Sequence, residues 1–381
     1  MNKRVESVQI SGIRRFYEKV QQVEGAISLT IGQPDFNVPI DIKRAMIKAI
    51  EENKTDYTSN AGIEPLREEI SNYLKEFNIN YDKEEICITV GGSEGLYIIL
   101  SALINAGDKI LIPSPAYPAY ESISSILGAD IINYSLNDDF TLNIEELKEK
   151  VKQGDIKYLL LSFPSNPTGA ILSKNQRDDL IELIKENDII VITDEMYSAI
   201  IFDEYYSVAQ STDIRDKVIY VSGFSKIFSM TGLRIGYFAC NKDLMKQLIK
   251  VHQYAVSCAP SIVQWGALEG LKKSLGDVKK MRDTFEVRKN YCINRLNSMS
   301  IDVIDPKGAF YIFPSIKKFN MSSEEFCIRL LKEGKLACVP GTAFGKKGEG
   351  YMRISYCYSE EMLSQAFDRL ENFIKTLGIL K

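Results

Sequence analysis

Lys226 is the residue whose setting most strongly suggests chemistry. It lies in SGFSKIFSMTGLRIGY (222–237), between the β-branched and aromatic runs VIYVSGF (218–224) and RIGYFAC (234–240), which predict two strands. A lysine held on a short loop between buried strands loses hydration, which lowers the pKa of its amine and makes the neutral, nucleophilic form accessible. Such an amine can form a Schiff base with a carbonyl group. The plain alternative is a solvated turn lysine, because most lysines are exposed.

Other candidate groups also follow predicted strands. They are Gly92, Ser93 and Glu94 after strand 86–90, Tyr117 after strand 109–113, Asn166 after strand 157–163, Asp194 and Tyr197 after strand 188–193, and Arg234 beyond Lys226. A glycine turn opening a helix and an arginine suit a phosphate, an aromatic ring can stack on a flat heterocycle, and a buried carboxylate needs a cation such as a protonated pyridine nitrogen. Each group alone has an ordinary structural explanation as a turn, a packed ring or a helix cap. Together they meet the demands of pyridoxal 5′-phosphate (PLP).

Buried parallel strands that alternate with helices must position these groups. The strand-forming runs between about 85 and 240 are nearly continuous in apolar residues, as expected for strands buried on both faces, and helical periodicity separates them, for example at 93–105 and 173–187. Ser173 and Gln176 form a capping-box sequence at the start of the second of these helices. In such sheets ligands bind beyond the carboxyl ends of the strands, which is where the candidate groups lie.

A smaller domain is predicted beyond this alternation. A long charged amphipathic helix (277–298) is followed by three short apolar strands mixed with helices, AFYIFPS, LACVP and YMRISYC. The sequence therefore predicts an α/β protein with a large, mostly parallel sheet domain covered by helices at 41–280, and a smaller α+β domain formed by 1–40 and 281–381. The first of these segments would supply an N-terminal arm and a substrate loop.

Composition narrows the class of function. The 381 residues are 45% hydrophobic and 26% charged, as in an ordinary globular protein, and the net charge of −4 predicts no nucleic-acid surface. We expect no secretory signal and no membrane span, and the seven scattered cysteines predict reduced thiols in a cytoplasmic protein. His252 is the only histidine, so neither a serine-histidine-aspartate triad nor a histidine metal cluster is expected. No metal site is predicted.

The ordered motifs of the chain resemble those of the fold-type I, aspartate-aminotransferase-like PLP enzymes. The motifs are ISLTIGQPDF, YTSNAGIEPLREEI, GGSEG, PAYPAY, SNPTG, DEMY, SKIFSMTGLRIGY, GAFYIFP, VPGTAFG and YMRISY. This resemblance covers nearly the full length and implies the PLP-dependent transferase fold type I and an aminotransferase activity. The phrases SGIRRF, KVHQYAVSCAPS and GAFYIFPSIK further resemble the bacterial N-acetyl-LL-diaminopimelate aminotransferases.

The resemblance implies catalytic and ring-binding roles at matching positions. Lys226 is expected to hold the cofactor as a Schiff base and to move a proton during the reaction. Asp194 is expected to keep the ring nitrogen protonated, so that the ring accepts electrons. Asn166 and Tyr197 are expected to hydrogen-bond the phenolic oxygen of the cofactor, and Tyr117 to stack on its ring.

The resemblance also implies how phosphate and substrate are bound. The expected phosphate ligands are Gly92, Ser93, Glu94 and Arg234, with Tyr57 reaching the phosphate of a neighbouring subunit, which implies a homodimer with shared sites. The expected substrate-binding residues are Gly32, Tyr117, Asn166 and Arg353, with Arg353 clamping the α-carboxylate of an amino acid or 2-oxo acid. One departure leaves part of the phosphate site unassigned: many relatives carry a serine where this chain has Gly223, and Ser222 and Ser225 are the possible substitutes.

Several alternatives stay open from the sequence. The donor predicted by the nearest resemblance is N-acetyl-LL-2,6-diaminopimelate with 2-oxoglutarate as acceptor, in lysine biosynthesis, and aspartate or a broad range of amino acids is the second choice. The same residues also serve PLP-dependent C–S β-lyases. A PLP-binding regulator is disfavoured because the motif IGQPDF begins at Ile31, which leaves no room for a preceding DNA-binding domain. A nicotinamide-dependent enzyme is disfavoured because no G-x-G-x-x-G motif occurs.

Overall fold

The computed structural model of the protein describes residues 1–378, and helices make up much of this part of the chain. Side chains at their starts accept hydrogen bonds from first-turn amides, including Asn241, Ser322 and Ser359, and the capping box predicted for Ser173 and Gln176 is confirmed. In chain order the helices are α1 Lys3–Ser7, α2 Gly12–Gln21, α3 Ile40–Glu51, α4 Glu64–Lys75, α5 Gly91–Leu103, α6 Ala119–Leu127, α7 Ile144–Lys152, α8 Lys174–Glu186, α9 Phe224–Ile227, α10 Lys242–Val256, α11 Ser261–Lys273, α12 Leu275–Ser298, α13 Ser323–Gly334 and α14 Glu360–Thr376.

The strands form one large sheet and two small ones. In chain order they are β1 Ile27–Ser28, β2 Ile86–Thr89, β3 Lys109–Ser114, β4 Asp130–Ser135, β5 Ile156–Ser162, β6 Ile190–Asp194, β7 Val218–Gly223, β8 Gly236–Ala239, β9 Tyr311–Ile312, β10 Leu336–Ala337, β11 Val339–Pro340 and β12 Met352–Ser355. The large sheet has seven strands in the order β2-β8-β7-β6-β5-β3-β4. Its pairs are parallel from β4 to β7, and only β8 runs antiparallel to its neighbours, so the predicted mostly parallel α/β sheet is confirmed.

The sheet register brings the candidate site residues to one edge. Asp194 at the end of β6 lies opposite Ser162 at the end of β5, and Gly223 at the end of β7 lies opposite Gly236 at the start of β8. Gly236 in turn faces Thr89 at the end of β2. The chain segments that follow β2, β5, β6 and β7 therefore meet the segment that precedes β8 at the same edge, as the sequence predicts for an α/β sheet.

Apolar residues on the two faces of the large sheet belong to two different clusters. Ile88, Leu111 and Leu159 pack in one cluster, whereas their neighbours along the strands, such as Ile110 and Leu160, pack in the other. This alternation follows from the two-residue period of a strand, and it buries both faces under helices.

A third cluster forms the core around the two small sheets. One of these pairs β1 with β10 in parallel, and the other is the antiparallel sheet β11-β12-β9. Helix α12 connects the cores, because Val278 packs against the large sheet while Met281 and Phe285 belong to the third cluster. Tyr197 and Ile200 also pack in this cluster, although they follow β6 of the large sheet. The domain division at residues 41 and 281 stays a prediction.

The main difference from the sequence prediction is β4, which the apolar pattern does not reveal. This edge strand, DIINYS, buries only Tyr134 fully and leaves Asp130 and Asn133 exposed, so it lacks the continuous apolar run of the inner strands. Its tyrosine hydroxyl donates to the carbonyl of Leu160 at 2.9 Å, which ties the edge to the sheet centre. Within residues 1–378, no helix combines the length and apolar character needed to cross a bilayer.

The close approach of α5 to β8 generates a first testable prediction. A Cβ atom at Gly236 would lie 2.8 Å from the backbone of both Gly91 and Gly92, which is too close for either segment to keep its place. Gly236→Ala should therefore lower the free energy of unfolding by about 1–3 kcal/mol, as expected for overpacking. Chemical denaturation measures this change.

Gly276→Ala in α12 is the matched control. A Cβ atom at Gly276 would meet nothing within 4 Å, and alanine favours a helix more than glycine does, so we expect this variant to be neutral or slightly stabilised. Equal unfolding free energies for the two variants would contradict the close approach of α5 and β8.

Candidate active site

A cavity of about 610 Å³ opens at the sheet edge where the strands end. It brings together the sequence-predicted residues Gly32, Gly92, Ser93, Tyr117, Asn166, Asp194, Tyr197, Lys226, Arg234 and Arg353. Its volume is in the range of small-molecule sites in proteins. Glu94 and Tyr57 are the two predicted site residues that do not line it.

Lys226 projects into this cavity from α9, a single helical turn directly after β7. Its amine donates to the carbonyl oxygen of Gly32 at 2.6 Å and lies 5.8 Å from the ring centroid of Phe310. The pKa of Lys226 is lowered to about 8, mainly by burial; Cys357 opposes this shift, and the nearby positive charges of Arg353 and Arg234 add to it. Lys226 is therefore not the solvated turn lysine of the plain alternative.

Asp194 ends β6 with its carboxylate held by two donors. The Tyr120 hydroxyl donates to Oδ2 at 2.8 Å and the Met196 amide donates to Oδ1 at 3.1 Å. Burial raises the pKa of Asp194, and the hydrogen bond from Tyr120 partly offsets that rise. The hydroxyl of Tyr120 also lies 2.9 Å from the Ser162 hydroxyl. The sequence analysis did not single out Tyr120, although it comes only three residues after Tyr117 in PAYPAY.

Arg353 is almost fully buried at 2% exposure, in β12. Its Nη1 donates to Oδ1 of Asn166 at 2.9 Å and its Nη2 donates to the carbonyl of Thr30. The guanidinium lies between two rings, 4.4 Å from the centroid of Tyr311 and 4.8 Å from that of Phe344. Its Nε has no hydrogen-bond partner within residues 1–378, so the fork retains a donor for a ligand.

Tyr197 reaches the cavity from a turn rather than from a helix. The segment after Asp194 forms turns, so the helical face that would align Asp194 with Tyr197 does not exist, yet both side chains line the cavity. The hydroxyls of Tyr197 and Tyr311 lie 2.8 Å apart. Tyr311 is a second residue that sequence reasoning missed, and its only signal was its place in the motif GAFYIFP.

The start of α5 and Arg234 form the cationic end of the cavity. Gly91 has φ +75°, and a Cβ atom there would lie 2.5 Å from Nη2 of Arg234, so only glycine allows the guanidinium to approach the backbone. Arg234 itself has φ +53° and donates from Nη1 to the carbonyl of Thr231 at 2.9 Å. A non-glycine residue held in this left-handed conformation is common at functional sites.

The structure distinguishes the two serines that could replace the missing phosphate ligand at Gly223. Ser225 lines the cavity, whereas the Ser222 hydroxyl donates to the carbonyl of Glu195 at 3.2 Å. Ser225 is therefore the serine available to a ligand.

The side chain of Glu94 is directed away from the cavity. Its Oε2 accepts from the Val90 amide at 3.0 Å, and burial raises the pKa of the carboxyl to about 7. His252, the only histidine of the chain, lies 3.9 Å from the same oxygen and is fully buried. Only the backbone amide of Glu94 is left to contribute to a phosphate site.

Tyr57 is 89% exposed and lies on a different surface of the chain. It lines a separate cavity of about 830 Å³ together with Ile50, Val90 and Cys258. Tyr57 therefore does not line the active-site cavity of its own chain.

Comparison with known proteins identifies the family. The model of aminotransferase class I and II matches residues 24–370. The chain belongs to this family. Its relatives include a probable N-acetyl-LL-diaminopimelate aminotransferase of Bacillus subtilis, 43% identical over 98% of this chain and 95% of the relative, and an aspartate aminotransferase of Pyrococcus abyssi, 38% identical over 98% of both. The aromatic aminotransferase structure from Pyrococcus horikoshii superposes with a TM-score of 0.91 at 36% identity, covering 96% of this chain and 100% of that one.

The chain is therefore a PLP-dependent aminotransferase with the aspartate-aminotransferase-like fold. The cavity fits that cofactor, because its buried charges lack counter-charges within residues 1–378. The Lys226 amine has no carboxylate partner, and the Asp194 carboxylate has no cation. An aldehyde, a pyridinium nitrogen and a phosphate complement Lys226, Asp194 and Arg234 respectively.

The environment of Lys226 generates a prediction about its titration. In the cofactor-free protein the amine should titrate at about pH 8, because burial disfavours its charged form. The rate of modification by an amine reagent, taken as the difference from Lys226→Arg, should rise as the pH passes this value and then level off.

Arg353→Gln is the informative companion variant. Removing this nearby positive charge should raise the pKa of Lys226, because Arg353 lowers it in the native chain. A titration of Lys226 in the ordinary lysine range, or one unaffected by Arg353→Gln, would contradict this view of the cavity.

Proposed function

We propose that this aminotransferase moves an amino group from N-acetyl-LL-2,6-diaminopimelate to 2-oxoglutarate by a ping-pong mechanism, in lysine biosynthesis. The observation that carries the amino-transfer chemistry is the partly buried Lys226 amine, which faces the cavity with a lowered pKa and no anionic partner within residues 1–378. The 43% identity to the probable N-acetyl-LL-diaminopimelate aminotransferase supports the choice of donor.

We propose that the residues at the sheet edge hold the cofactor in one orientation. Asp194 pairs with the ring nitrogen, and its buried carboxylate, already positioned by Tyr120, favours the protonated ring. The Asn166 amide nitrogen and the Tyr197 hydroxyl donate to the phenolic oxygen, because Arg353 occupies the Asn166 carbonyl oxygen and Tyr311 is a second partner for the Tyr197 hydroxyl.

The remaining cofactor contacts involve the ring face and the phosphate. Tyr117 lies two residues before α6, on the cavity wall, from which we propose that it stacks on the ring. The proposed phosphate ligands are the amides of Gly92, Ser93 and Glu94, the hydroxyls of Ser93 and Ser225, and the guanidinium of Arg234. Free amides at the start of α5 and a positive side chain together suit a dianion.

PLP, when bound, supplies an electrophilic aldehyde and an electron-accepting ring that stabilises negative charge at the substrate α-carbon. We propose that Lys226 holds the cofactor covalently and then, once the substrate has displaced it, takes the proton from the α-carbon. An amine whose pKa is close to neutrality is suited to this transfer, because it accepts and releases a proton at comparable cost.

The substrate α-carboxylate is proposed to bind Arg353. The guanidinium packs against the rings of Tyr311 and Phe344. Two of its donors bind Asn166 and Thr30, so its orientation is set before a ligand arrives. The backbone at Gly32, which already accepts from Lys226, completes this end of the substrate site. Preorganised donors of this kind cost little reorganisation on binding.

The donor can be identified by the visible absorbance of the cofactor. Addition of an acyl-diaminopimelate should bleach the yellow absorbance of the purified enzyme, and 2-oxoglutarate should restore it, because the two half-reactions of a ping-pong exchange are separable. Glutamate, as the reverse donor, should also bleach it. Lys226→Ala should lack the lysine-bound absorbance and should not turn over.

The other outcomes of this experiment assign other functions. Bleaching by aspartate but not by acyl-diaminopimelate would identify an aspartate aminotransferase, as the 38% identity to such an enzyme also allows. Release of pyruvate and ammonia from cystathionine without bleaching would show β-elimination. Activity that Lys226→Ala retains in full would contradict the proposed role of the lysine.

We further propose that the enzyme is a cytoplasmic homodimer. Tyr57 and the α3 residues Ile47 and Ile50 are at least half exposed, and such apolar exposure is typical of an interface. The position of Tyr57 outside its own active-site cavity supports a contact with the phosphate of the partner subunit. The cysteines are all unpaired, as in proteins of reducing compartments.

Subunit mixing tests the shared site. Tyr57→Ala and Lys226→Ala proteins should each have low activity at limiting PLP, and their mixture after dissociation and reassociation should recover activity. In the mixed dimer one site combines an intact Lys226 with an intact Tyr57 of the other subunit.

Mixing Asp194→Ala with Lys226→Ala is the matched control. Both changes affect residues of the same subunit's site, so each site of the mixed dimer carries one defect and no activity should return. If the Tyr57→Ala mixture shows no more activity than its parents, the shared site is wrong.

A further inference from the structure

The positive charges of the active-site cavity exceed those that the cofactor and the α-carboxylate use. The charged side chains on its wall are Arg14, Asp194, Lys226, Arg234 and Arg353. Lys226, Arg234 and Arg353 already have roles in the proposed function, and each is anchored by a hydrogen bond to the chain. Arg14 makes no hydrogen bond or ion pair within residues 1–378, and it is not one of the residues proposed to hold the cofactor.

Helix α2 presents Arg14 to the cavity from a firmly packed position. Phe16 and Val20 on one side of the helix are buried in the core of the small sheets, and Ile13 packs against the core of the large sheet. Ile13, Arg14 and Tyr17 face the cavity together. A helix anchored in both cores therefore holds the backbone of Arg14 at the cavity wall.

The start of α2 also lies close to the segment that precedes Arg353. A Cβ atom at Gly12 would lie 2.8 Å from Cβ of Ala343, and Phe344 packs on the Arg353 guanidinium. Arg14 and Arg353 therefore lie on neighbouring elements that line the same cavity. Arg14 is exposed, whereas Arg353 is buried at 2% exposure.

We propose that Arg14 binds the distal carboxylate of dicarboxylic substrates, while Arg353 binds the α-carboxylate. The inference rests on the proposed function and deepens it, because 2-oxoglutarate and an N-acyl-diaminopimelate both carry a carboxylate at the end remote from the reacting carbon. An arginine fork binds a carboxylate through two charge-assisted hydrogen bonds. The other residues of α2 on the cavity wall, Ile13 and Tyr17, carry no charge, so Arg14 is the cation that this helix supplies.

The test uses two unreactive ligands that differ only at the distal end. Glutarate and pentanoate have equal chain length, but glutarate ends in a second carboxylate and pentanoate in a methyl group. Dissociation constants for the PLP-loaded enzyme, measured by calorimetry, should favour glutarate. Arg14→Gln should weaken the binding of glutarate by roughly 10- to 100-fold, the range expected for losing a charged hydrogen-bond pair. It should leave the binding of pentanoate unchanged.

Lys19→Ala is the control for charge on the same helix. Lys19 pairs with Glu324 at 3.3 Å on the surface and does not line the cavity. The loss of its charge should therefore change the binding of neither ligand. Arg14→Lys keeps the charge without the fork and should give an intermediate glutarate affinity. Glutarate binding by the unmodified enzyme should also weaken with salt more than pentanoate binding, because Arg14 is exposed.

The outcomes separate this inference from the proposed function. If the unmodified enzyme binds glutarate no better than pentanoate, or if Arg14→Gln weakens both ligands equally, the role of Arg14 is wrong, whatever the donor. If Arg14→Gln weakens glutarate selectively while acyl-diaminopimelate fails as a donor, the distal-carboxylate site stands and the proposed donor does not.

Discussion

The structure depends on placing a partly buried lysine amine and a buried aspartate carboxylate at one cavity without a direct counter-charge for either. Unpaired charges in a protein interior are costly, and burial shifts the pKa of Lys226 down and that of Asp194 up, toward their neutral forms. The chain offsets part of this cost with the Gly32 carbonyl on one side and the Tyr120 hydroxyl on the other. PLP supplies complementary groups for both, so the free energy of binding the cofactor includes relief of this penalty.

This arrangement needs a rigid sheet edge and a second core that closes over it. The parallel strands bring Asp194 and the segment of Lys226 to one edge through register alone. The small sheets contribute Arg353 and Tyr311, and the N-terminal segment contributes Gly32. Because Lys226 donates to Gly32 and Arg353 donates to Thr30 of the same segment, the amino-acid site exists only when both cores are packed together.

Much of the fold could be predicted from the sequence because its inner strands are buried on both faces. Continuous apolar runs predicted the bounds of β3, β5, β6 and β7 within one or two residues. Strand β4 was not predicted, because half of the side chains of this edge strand are polar. Most of the site could be predicted for a related reason, because polar residues that directly follow buried strands stand out in the sequence. Tyr120 and Tyr311 could not be predicted in this way, because a tyrosine among apolar residues is typical of a hydrophobic core unless the partner of its hydroxyl is known.

The sequence by itself determined which groups gather at the sheet edge, since strand order and the position of a residue after its strand set that outcome for Lys226, Asp194 and Asn166. Motif order across nearly the whole chain also indicated the family before any coordinates were known. Only the tertiary structure decided which hydroxyl supports Asp194, which serine is free for a ligand, and which further arginine reaches the cavity. Arg14 is distant in sequence from every strand of the large sheet, and no local pattern reveals that α2 packs between the two cores. Long-range packing sets such contacts, and it depends on the shapes of both cores rather than on the residues near Arg14.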